Sequence, residues 1–242
     1  LTIPCEMCIR DRSVFALNSW AYYYLAGESG NAHFNASLVD YLEKEYFPEC
    51  IRTNHNKNFA FYPDTDQWGK KIEELFSYLN LSKSGKTYFF YNESRFNKNW
   101  RDEIPQDFEV KRVSPELIKS VKNNSEFVDY IKCFWVATDK YFDKGLGYCS
   151  IKSDDFATIC ISVFASENDR EVGIKTFPGF QRKGLAYVTA CAYIEECLGN
   201  GFDPVWSCFS ENEVSIRLAE KLGYTIEATH PIYFVDIGDP QS

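Results

Sequence analysis

The segment 171–186 and the run behind it constrain the fold more than any other part of the sequence. Apolar and polar residues alternate from Glu171 to Lys175, which is typical of a strand, and a Pro-Gly pair ends it. Apolar residues then recur at every fourth position: Ala186, Ala190, Ile194 and Leu198. The glycine-rich stretch 199–201 is a helix stop signal. The segment therefore predicts a strand, a turn and a helix in succession.

The turn before this helix offers backbone amides that a helix cannot satisfy by itself. Arg182, Lys183, Gly184, Leu185 and Ala186 are predicted as its first residues, and amides at a helix start have no partner inside the helix. The helix dipole and two cations favour an anion, and the small residues leave the backbone uncovered. A diphosphate fits this turn. The alternative is that the small residues only permit tight packing of strand and helix.

The spacing Gln181-x-x-Gly184-x-Ala186 is similar to the acyl-CoA pyrophosphate loop of the GNAT N-acetyltransferase superfamily. The resemblance continues through residues 204–208, which look like that fold's next strand. Asn212-x-x-Ser215 and residues 218–224 look like the start and the end of its last helix.

Within the superfamily, the combined pattern resembles the branch that includes zwittermicin A resistance acetyltransferases. Earlier segments also look like that branch: residues 22–27, Trp68 and Gly145-x-Gly147-x-Cys149. The resemblance covers nearly the whole chain, with specific motifs only in the C-terminal half.

The predicted fold class is α/β, with a boundary in the polar, irregular segment 97–106. We expect a smaller N-terminal α/β domain over 13–106 that shapes the acceptor pocket, and a GNAT domain over 107–242. From Phe108 onward, periodicity predicts a strand, two helices, three strands, a helix, a strand, a helix and final strands. The resemblance implies a mixed, mostly antiparallel central sheet with flanking helices.

In the N-terminal part, the apolar and aromatic run 14–25 predicts a buried helix, and a second helix is expected around 38–46. A strand over 58–62 and a helix face from Trp68 to Leu79 follow. The Gly-Lys-Thr sequence at 85–87 is not expected to bind a nucleotide. It lacks the earlier glycine of a phosphate loop, and a strand-like run follows where that loop needs a helix.

The resemblance implies acetyl-CoA as acyl donor and assigns residues to it. The amides from Arg182 to Ala186, with Gln181, are expected at the pyrophosphate, and the strand backbone over 172–176 is expected to pair with the pantetheine arm. That strand contributes Ile174, Lys175 and Thr176 to the predicted site, and Asn212 and Ser215 complete it. The local pattern equally predicts Asn212 as a helix N-cap, and both roles are compatible. No metal is expected.

The catalytic candidates are an acid at the strand start and two tyrosines. Glu171 resembles the general base that some GNAT enzymes place there; the alternative is a solvated acid. Many relatives have a tyrosine as thiolate acid just after the leucine that matches Leu218, where this chain has Ala219. Tyr224 and Tyr233 are substitutes by proximity in sequence.

The composition limits the partners. A net charge of −9 argues against a nucleic-acid surface, and the sequence has neither a polybasic run nor an apolar stretch long enough to span a membrane. Nine cysteines, an odd number scattered through predicted strands and helices, indicate reduced core thiols in a cytoplasmic protein.

The sequence thus predicts an acetyl-CoA-dependent N-acetyltransferase that acts on an amine of a small molecule, for example an amine-bearing antibiotic or metabolite. A homodimer is compatible with this prediction. The alternative is a CoA-binding protein of the same fold that has lost catalysis and acts as a sensor or scaffold. Ala219 keeps that alternative open, whereas Glu171 favours the enzyme.

Overall fold

The computed structural model describes residues 13–17, 22–52, 58–135 and 137–238. These residues form two compact units: one from the described residues within 1–86 and 230–242, the other from residues 87–229. The division differs from the predicted boundary after residue 106, because residues 87–106 group with the second unit and residues 230–238 with the first. Each unit is described by itself.

The first unit contains three complete strands and three α-helices among the described residues. In chain order these are β1 (Ser13–Leu17), β2 (Tyr22–Gly27), α1 (Ala32–Tyr41), α2 (Phe47–Arg52), β3 (Asn58–Pro63) and α3 (Asp66–Leu75). A wide helical turn, Leu42–Tyr46, joins the first two helices. The long strand β4 (Asn80–Tyr91) begins in this unit, and the last strand, β10 (Tyr224–Asp236), ends in it.

The helix predicted over 14–25 is wrong, because the described residues of that run form β1 and β2, an antiparallel pair. Tyr23 and Leu25 are buried whereas Tyr24 is 44% exposed, so burial alternates with the period of a strand. Phe15 stacks on Tyr23 with ring centroids 5.6 Å apart, a contact that cross-strand aromatic pairs favour. Residues 18–21 of the prediction lie outside the described residues.

The other predictions for the first unit agree better with the structure. The strand at 58–62 is confirmed as β3, which pairs in parallel with β2 and antiparallel with the end of β10. Trp68 of α3 is fully buried, and its indole N–H donates to the Gly27 carbonyl at 2.9 Å. Residues 84–87 lie inside β4, which confirms that Gly-Lys-Thr does not open a helix.

The second unit begins with the end of β4 and follows the predicted order with one addition. Its elements are β5 (Glu109–Arg112), α4 (Pro115–Ser120), α5 (Asn124–Lys132), α6 (Thr138–Lys144), β6 (Gly147–Lys152), β7 (Asp155–Ala165), β8 (Asp169–Thr176), α7 (Leu185–Gly199), β9 (Asp203–Phe209) and α8 (Glu213–Lys221). Helix α6, with seven residues, was not predicted.

The sheet of this unit is mixed and mostly antiparallel, as predicted. Strands β5 to β8 pair antiparallel in sequence order, and β9 pairs with β8 in parallel. Side chains of successive β7 residues pack into different hydrophobic cores. Cys160 packs with α7 and α8, whereas Ile159 and Ile161 pack with α4, α5 and α6. Because side chains alternate across a strand, helices flank both faces of the sheet.

The cysteines in the described part of the chain form no disulfide with one another. Six are buried, and Cys133 is exposed, so the expectation of core thiols fails at that position. Burial raises the pKa of the Cys149, Cys191 and Cys197 thiols to about 12. These thiols stay protonated near neutral pH. Cys5 and Cys8 lie outside the described residues.

Candidate active site

Strands β8 and β9 run side by side over a short distance and then separate. Residues 169–171 of β8 pair with residues 203–205 of β9. On its other side, β8 stays paired with β7 as far as Thr176. The backbone of residues 172–176 therefore has one edge with which no described strand pairs.

Such an edge presents alternating amide and carbonyl groups. Unpaired N–H and C=O groups along a strand bind extended ligands that carry amides, because each ligand amide replaces a missing ladder hydrogen bond. Ile174, Lys175 and Thr176 lie on this open part, as the pantetheine assignment requires. The gap, meaning the part of β8 that has no β9 partner, starts after Glu171 and extends to the end of β8 at Thr176.

The loop between β8 and α7 leaves a run of amides without partners. Within the described part of the chain, no backbone N–H from Gln181 through Ala186 donates a hydrogen bond, whereas the flanking Phe180 and Tyr187 amides donate to Phe177 and Gly184. Residues 181–184 are exposed. Consecutive free amides at the positive end of a helix bind anions, so this loop fits a diphosphate.

The backbone of this loop is strained at Arg182. Arg182 has φ 61° and Gly184 has φ 78°. A left-handed conformation costs a residue other than glycine about 1–2 kcal/mol, and such strain concentrates at ligand-binding positions. Arg182 and Lys183 have no ion-pair partner among the described residues. Both cations therefore remain available to an anion.

The helix itself begins later than predicted. Arg182, Lys183 and Gly184 precede α7 instead of forming its first turn, and Gly184 is its N-cap. The positive φ of Gly184 is incompatible with helical geometry, which explains the difference. The stop signal is confirmed, because α7 ends at Gly199.

Glu171 lies at the point where the two strands separate. It is the last β8 residue that pairs with β9, and its side chain is half-buried. The Ser207 hydroxyl of β9 donates to Glu171 Oε1 at 2.6 Å. This short hydrogen bond holds the carboxylate across the two strands at the start of the gap.

The two candidate tyrosines occupy different environments. Tyr224 is fully buried, and its hydroxyl donates to the Pro204 carbonyl at 2.9 Å. Burial raises its pKa well above the ordinary value, so the hydroxyl keeps its proton within the core. Tyr233 belongs to the first unit, where Lys83 Nζ lies 5.0 Å from its ring centroid. The structure therefore brings neither hydroxyl to the open part of β8 within the second unit.

Asn212 is the N-cap of α8, which confirms that local interpretation. Its Oδ1 accepts from the Ser215 amide at 3.1 Å. The Ser215 hydroxyl accepts from the Trp206 indole N–H at 3.1 Å. These contacts fix the start of α8 beside β9. The role of both residues at the cofactor stays a prediction.

Two side chains on the open part of β8 have defined contacts. The Thr176 hydroxyl is 3.0 Å from the Thr158 hydroxyl of β7. Lys175 Nζ lies 4.9 Å from the Phe177 ring centroid and has no ion-pair partner among the described residues. Lys175 therefore places an uncompensated cation beside the open edge.

Sequence reasoning missed Ser207 and Tyr130. Ser207 lies two residues beyond Val205, the β9 partner of Glu171, so the parallel register alone would have placed it on the same face. Tyr130 of α5 lies over Gly173 of β8. No signal in the sequence connects that helix to that strand, because their contact depends on tertiary packing.

Two further observations concern metal ions and membranes. No group of three or more His, Cys, Asp or Glu side chains is arranged to hold a metal ion in the part that the structure describes. None of the described helices combines the length and the apolar character that crossing a bilayer requires.

Comparison with known proteins identifies the family. The family model for GNAT acetyltransferases matches residues 9–233, which is most of the sequence. The chain belongs to the GNAT acetyltransferase family. This membership supports acyltransferase activity and agrees with the open strand edge and the amide-rich loop. GNAT proteins generally use acetyl-CoA.

Individual relatives agree with this assignment. The chain is 27% identical over 238 residues to the uncharacterized N-acetyltransferase YdfB of Bacillus subtilis, covering 96% of this chain and 86% of that protein. A GCN5-related N-acetyltransferase-like protein from Streptococcus suis has a TM-score of 0.68 at 20% identity, covering 92% of this chain and 83% of its own. A tandem GNAT protein from the clavulanic acid biosynthesis pathway has a TM-score of 0.59 at 10% identity, covering 95% and 79%. These structural neighbours show that the chain has an α/β GNAT fold.

Proposed function

We propose that this protein is an acetyl-CoA-dependent N-acetyltransferase that acts on an amine of a small molecule. The observation that carries the proposal is the β8 edge that opens at Glu171 and leads to a loop of unpaired amides. Acetyl-CoA matches this arrangement. Its diphosphate fits the loop, its amide-bearing pantetheine arm fits the strand edge, and its thioester then lies beside the Glu171 carboxylate. Acetyl-CoA supplies a thioester whose acyl carbon accepts an amine.

Different parts of the site bind different parts of acetyl-CoA. The amides of residues 181–186 bind the diphosphate, and Arg182 and Lys183 contribute charge. The backbone of residues 172–176 pairs with the pantetheine arm as an added strand would. The thioester end then lies toward Glu171, because the diphosphate occupies the opposite end of the strand.

Glu171 acts as the general base. An amine with a pKa of about 10.4 is neutral in roughly one molecule in 2,500 at pH 7, which costs about 4–5 kcal/mol. Glu171 takes one proton from the ammonium group, the nitrogen then bonds to the acyl carbon and releases its second proton to solvent, and the breaking carbon–sulfur bond leaves its electron pair on sulfur. Solvent supplies the proton for the thiolate and later removes the proton from Glu171. Ser207 keeps the carboxylate aimed at the gap.

The acceptor is proposed from chemistry and resemblance. A net charge of −9 favours a cationic amine. The sequence resembles the branch that includes zwittermicin A resistance acetyltransferases, and one structural neighbour carries the description of a protein from clavulanic acid biosynthesis. We therefore propose an amine-bearing antibiotic or metabolite, acetylated in the cytoplasm.

Calorimetry and a thiol-release assay test this function. We expect acetyl-CoA to bind the intact chain, and we expect at least one amine to release CoA thiol in a panel of an aminoglycoside, a polyamine, free amino acids and a lysine peptide. Glu171→Gln should lower turnover about 100-fold. Glu167→Gln, an exposed acid in the turn before β8, is the matched control. Absence of acetyl-CoA binding would refute the function.

A second candidate function is a CoA-binding sensor without catalysis. Ala219 has no hydroxyl and is fully buried, and the Tyr224 hydroxyl already donates to a carbonyl, so neither position supplies a free proton donor. Acetyl-CoA binding without thiol release across the whole panel would favour the sensor.

A further inference from the structure

The hydroxyl of Tyr130, on α5 of the second unit, lies against strand β8 near Glu171. A methyl group placed on Gly173 would lie 3.2 Å from Tyr130 Oη and would overlap Val163 Cγ1. Glycine at this position is therefore what allows both side chains to lie directly on the β8 backbone. Gly173 is two residues from Glu171, so both face the same side of the sheet, about 7 Å apart along the strand.

The ring of Tyr130 is held in place by its neighbours. Phe134 packs against it edge-on with ring centroids 5.2 Å apart, and Lys175 Nζ lies 5.8 Å from its centroid. The ring also contributes to the core formed by α4, α5 and α6. A hydroxyl on a ring fixed in this way has a defined position before any ligand binds.

The Tyr130 hydroxyl has no hydrogen-bond partner among the described residues, although most of its ring is enclosed. Among other tyrosines of this unit, Tyr193 Oη lies 2.8 Å from the Ser162 hydroxyl and Tyr224 donates to Pro204, whereas the Tyr91 and Tyr141 hydroxyls are fully buried without a partner in the described part of the chain. Burial raises the pKa of Tyr130 above its ordinary value, so the hydroxyl keeps its proton at working pH. It is a fixed, neutral donor that lacks an acceptor.

We propose that Tyr130 donates a hydrogen bond to the carbonyl oxygen of the acyl group presented at the gap beside Glu171. This inference rests on the proposed function. Negative charge develops on that oxygen when the amine attacks, and a donor already in position stabilises it without reorganisation. Tyr130 is therefore a catalytic residue on α5.

The proposed role differs from that of a proton donor to sulfur. A thiol has an ordinary pKa of about 8.5, far below that of a buried tyrosine, so proton transfer from Tyr130 to the thiolate would be uphill. A hydrogen bond without transfer is favourable at every working pH. The chain thus needs no tyrosine at Ala219 for this stabilisation.

The test compares two ligands and two tyrosines. Acetyl-CoA carries the carbonyl oxygen, and ethyl-CoA, a thioether, lacks it. We expect calorimetry to show that the wild-type chain prefers acetyl-CoA and that Tyr130→Phe loses about fivefold of that preference. Tyr141→Phe is the matched control: it belongs to the same core, and its hydroxyl is buried without a partner. It should retain the preference.

A kinetic measurement sharpens the test. With the amine from the panel that gives most thiol release, Tyr130→Phe should lower kcat about 100-fold, leave the KM of the amine within about twofold, and leave the alkaline limb of the pH profile unchanged. A hydroxyl that only binds the acceptor would raise the KM of the amine instead, which would overturn the inference. Loss of the alkaline limb would also overturn it, because that loss marks a proton donor.

The outcomes separate this inference from the proposed function. Binding of both ligands, with the preference intact in Tyr130→Phe, overturns the role of Tyr130 and leaves the function standing. Absence of binding by both ligands to the wild-type chain overturns the function and the inference together. Thermal unfolding of both variants shows whether the fold survives the substitutions.

Discussion

The two ends of α7 carry the same residue type in the same conformation but differ in hydrogen bonding. Gly184 precedes the helix with φ 78°, and Gly201 follows it with φ 74°; a methyl group on either would meet no atom within 4 Å. At the C-terminal end, the amides of Asn200, Gly201 and Phe202 all donate to carbonyls of the last turn. At the N-terminal end, the amides of residues 181–186 donate to nothing that the structure describes.

The difference shows what distinguishes a candidate anion site from an ordinary helix terminus. A positive φ at glycine is common to helix ends and by itself indicates only a turn. The C-terminal end, the closed end, bonds its own amides to carbonyls of the last turn. At the N-terminal end, the open end, amides of the exposed residues 181–184 stay unbonded within the described part of the chain, and Arg182 and Lys183 lie among them. The unsatisfied hydrogen-bonding capacity, and not the glycine alone, distinguishes the candidate anion site.

We expect the strongest effect from a substitution of Gly184, at the open end of α7. Gly184→Asp should weaken acetyl-CoA binding about 100-fold, because the added carboxylate lies at the loop that binds the diphosphate and repels its negative charge. Gly201→Asp carries the same change in charge and the same backbone cost at the closed end, and its dissociation constant should stay within about twofold of wild type. Calorimetry measures both. Equal weakening by both substitutions would mean that the open end does not bind the ligand.

The charges of the open end should contribute less than its amides. Arg182→Gln is expected to weaken acetyl-CoA binding about tenfold and to reduce its dependence on salt, since an exposed cation near a phosphate is screened by ions. Lys119→Gln, an exposed cation on α4, makes the same change in net charge and serves as control. Titrations at several salt concentrations measure both. An unchanged salt dependence in Arg182→Gln would contradict a phosphate contact.

The sequence allowed this open end to be predicted because its signals are local. Alternation over residues 171–175, the recurrence of apolar residues and the glycine positions each depend on neighbouring residues, and together they located β8, the loop and α7. The exact helix start was missed, because the local pattern did not reveal that Gly184 has a positive φ that a helix cannot adopt. The implied mixed, mostly antiparallel sheet is confirmed.

The errors lie where tertiary contacts decide. The run 14–25 is apolar enough for a helix, but Tyr23 stacks on Phe15 across an antiparallel pair, and that pairing is not local information. Ser207 becomes meaningful only when β9 pairs with β8, and Tyr130 only when α5 packs on Gly173. Local pattern thus predicted the loop between β8 and α7, whereas the side chains that surround Glu171 could be identified only from the structure.

The two glycines should be equivalent in stability even though they differ in binding. Gly184→Ala and Gly201→Ala should each lower the free energy of unfolding by about 1 kcal/mol, because alanine is strained at positive φ and neither site is crowded. Urea denaturation without ligand measures both. A much larger loss at Gly184 would show that the open end also stabilises the fold.

The smallest expected effect concerns the closed end of α7, where Cys197 is buried in the last turns. Burial raises the pKa of its thiol from 9.0 to about 12, so above pH 9 the unfolded chain releases this proton while the folded chain keeps it. Stability is therefore complete below pH 9 and falls as pH rises toward 12, by about 0.8 kcal/mol at pH 9.5 for this one thiol. Urea denaturation at pH 7.5 and pH 9.5 should show a smaller fall for Cys197→Ala than for wild type. Cys133→Ala removes an exposed thiol and should leave the fall unchanged. If Cys197→Ala lost as much stability between the two pH values as wild type, burial would not protect the Cys197 thiol. Water and hydroxide would then reach the C-terminal end of α7, and the two helix ends would not differ in the way described above.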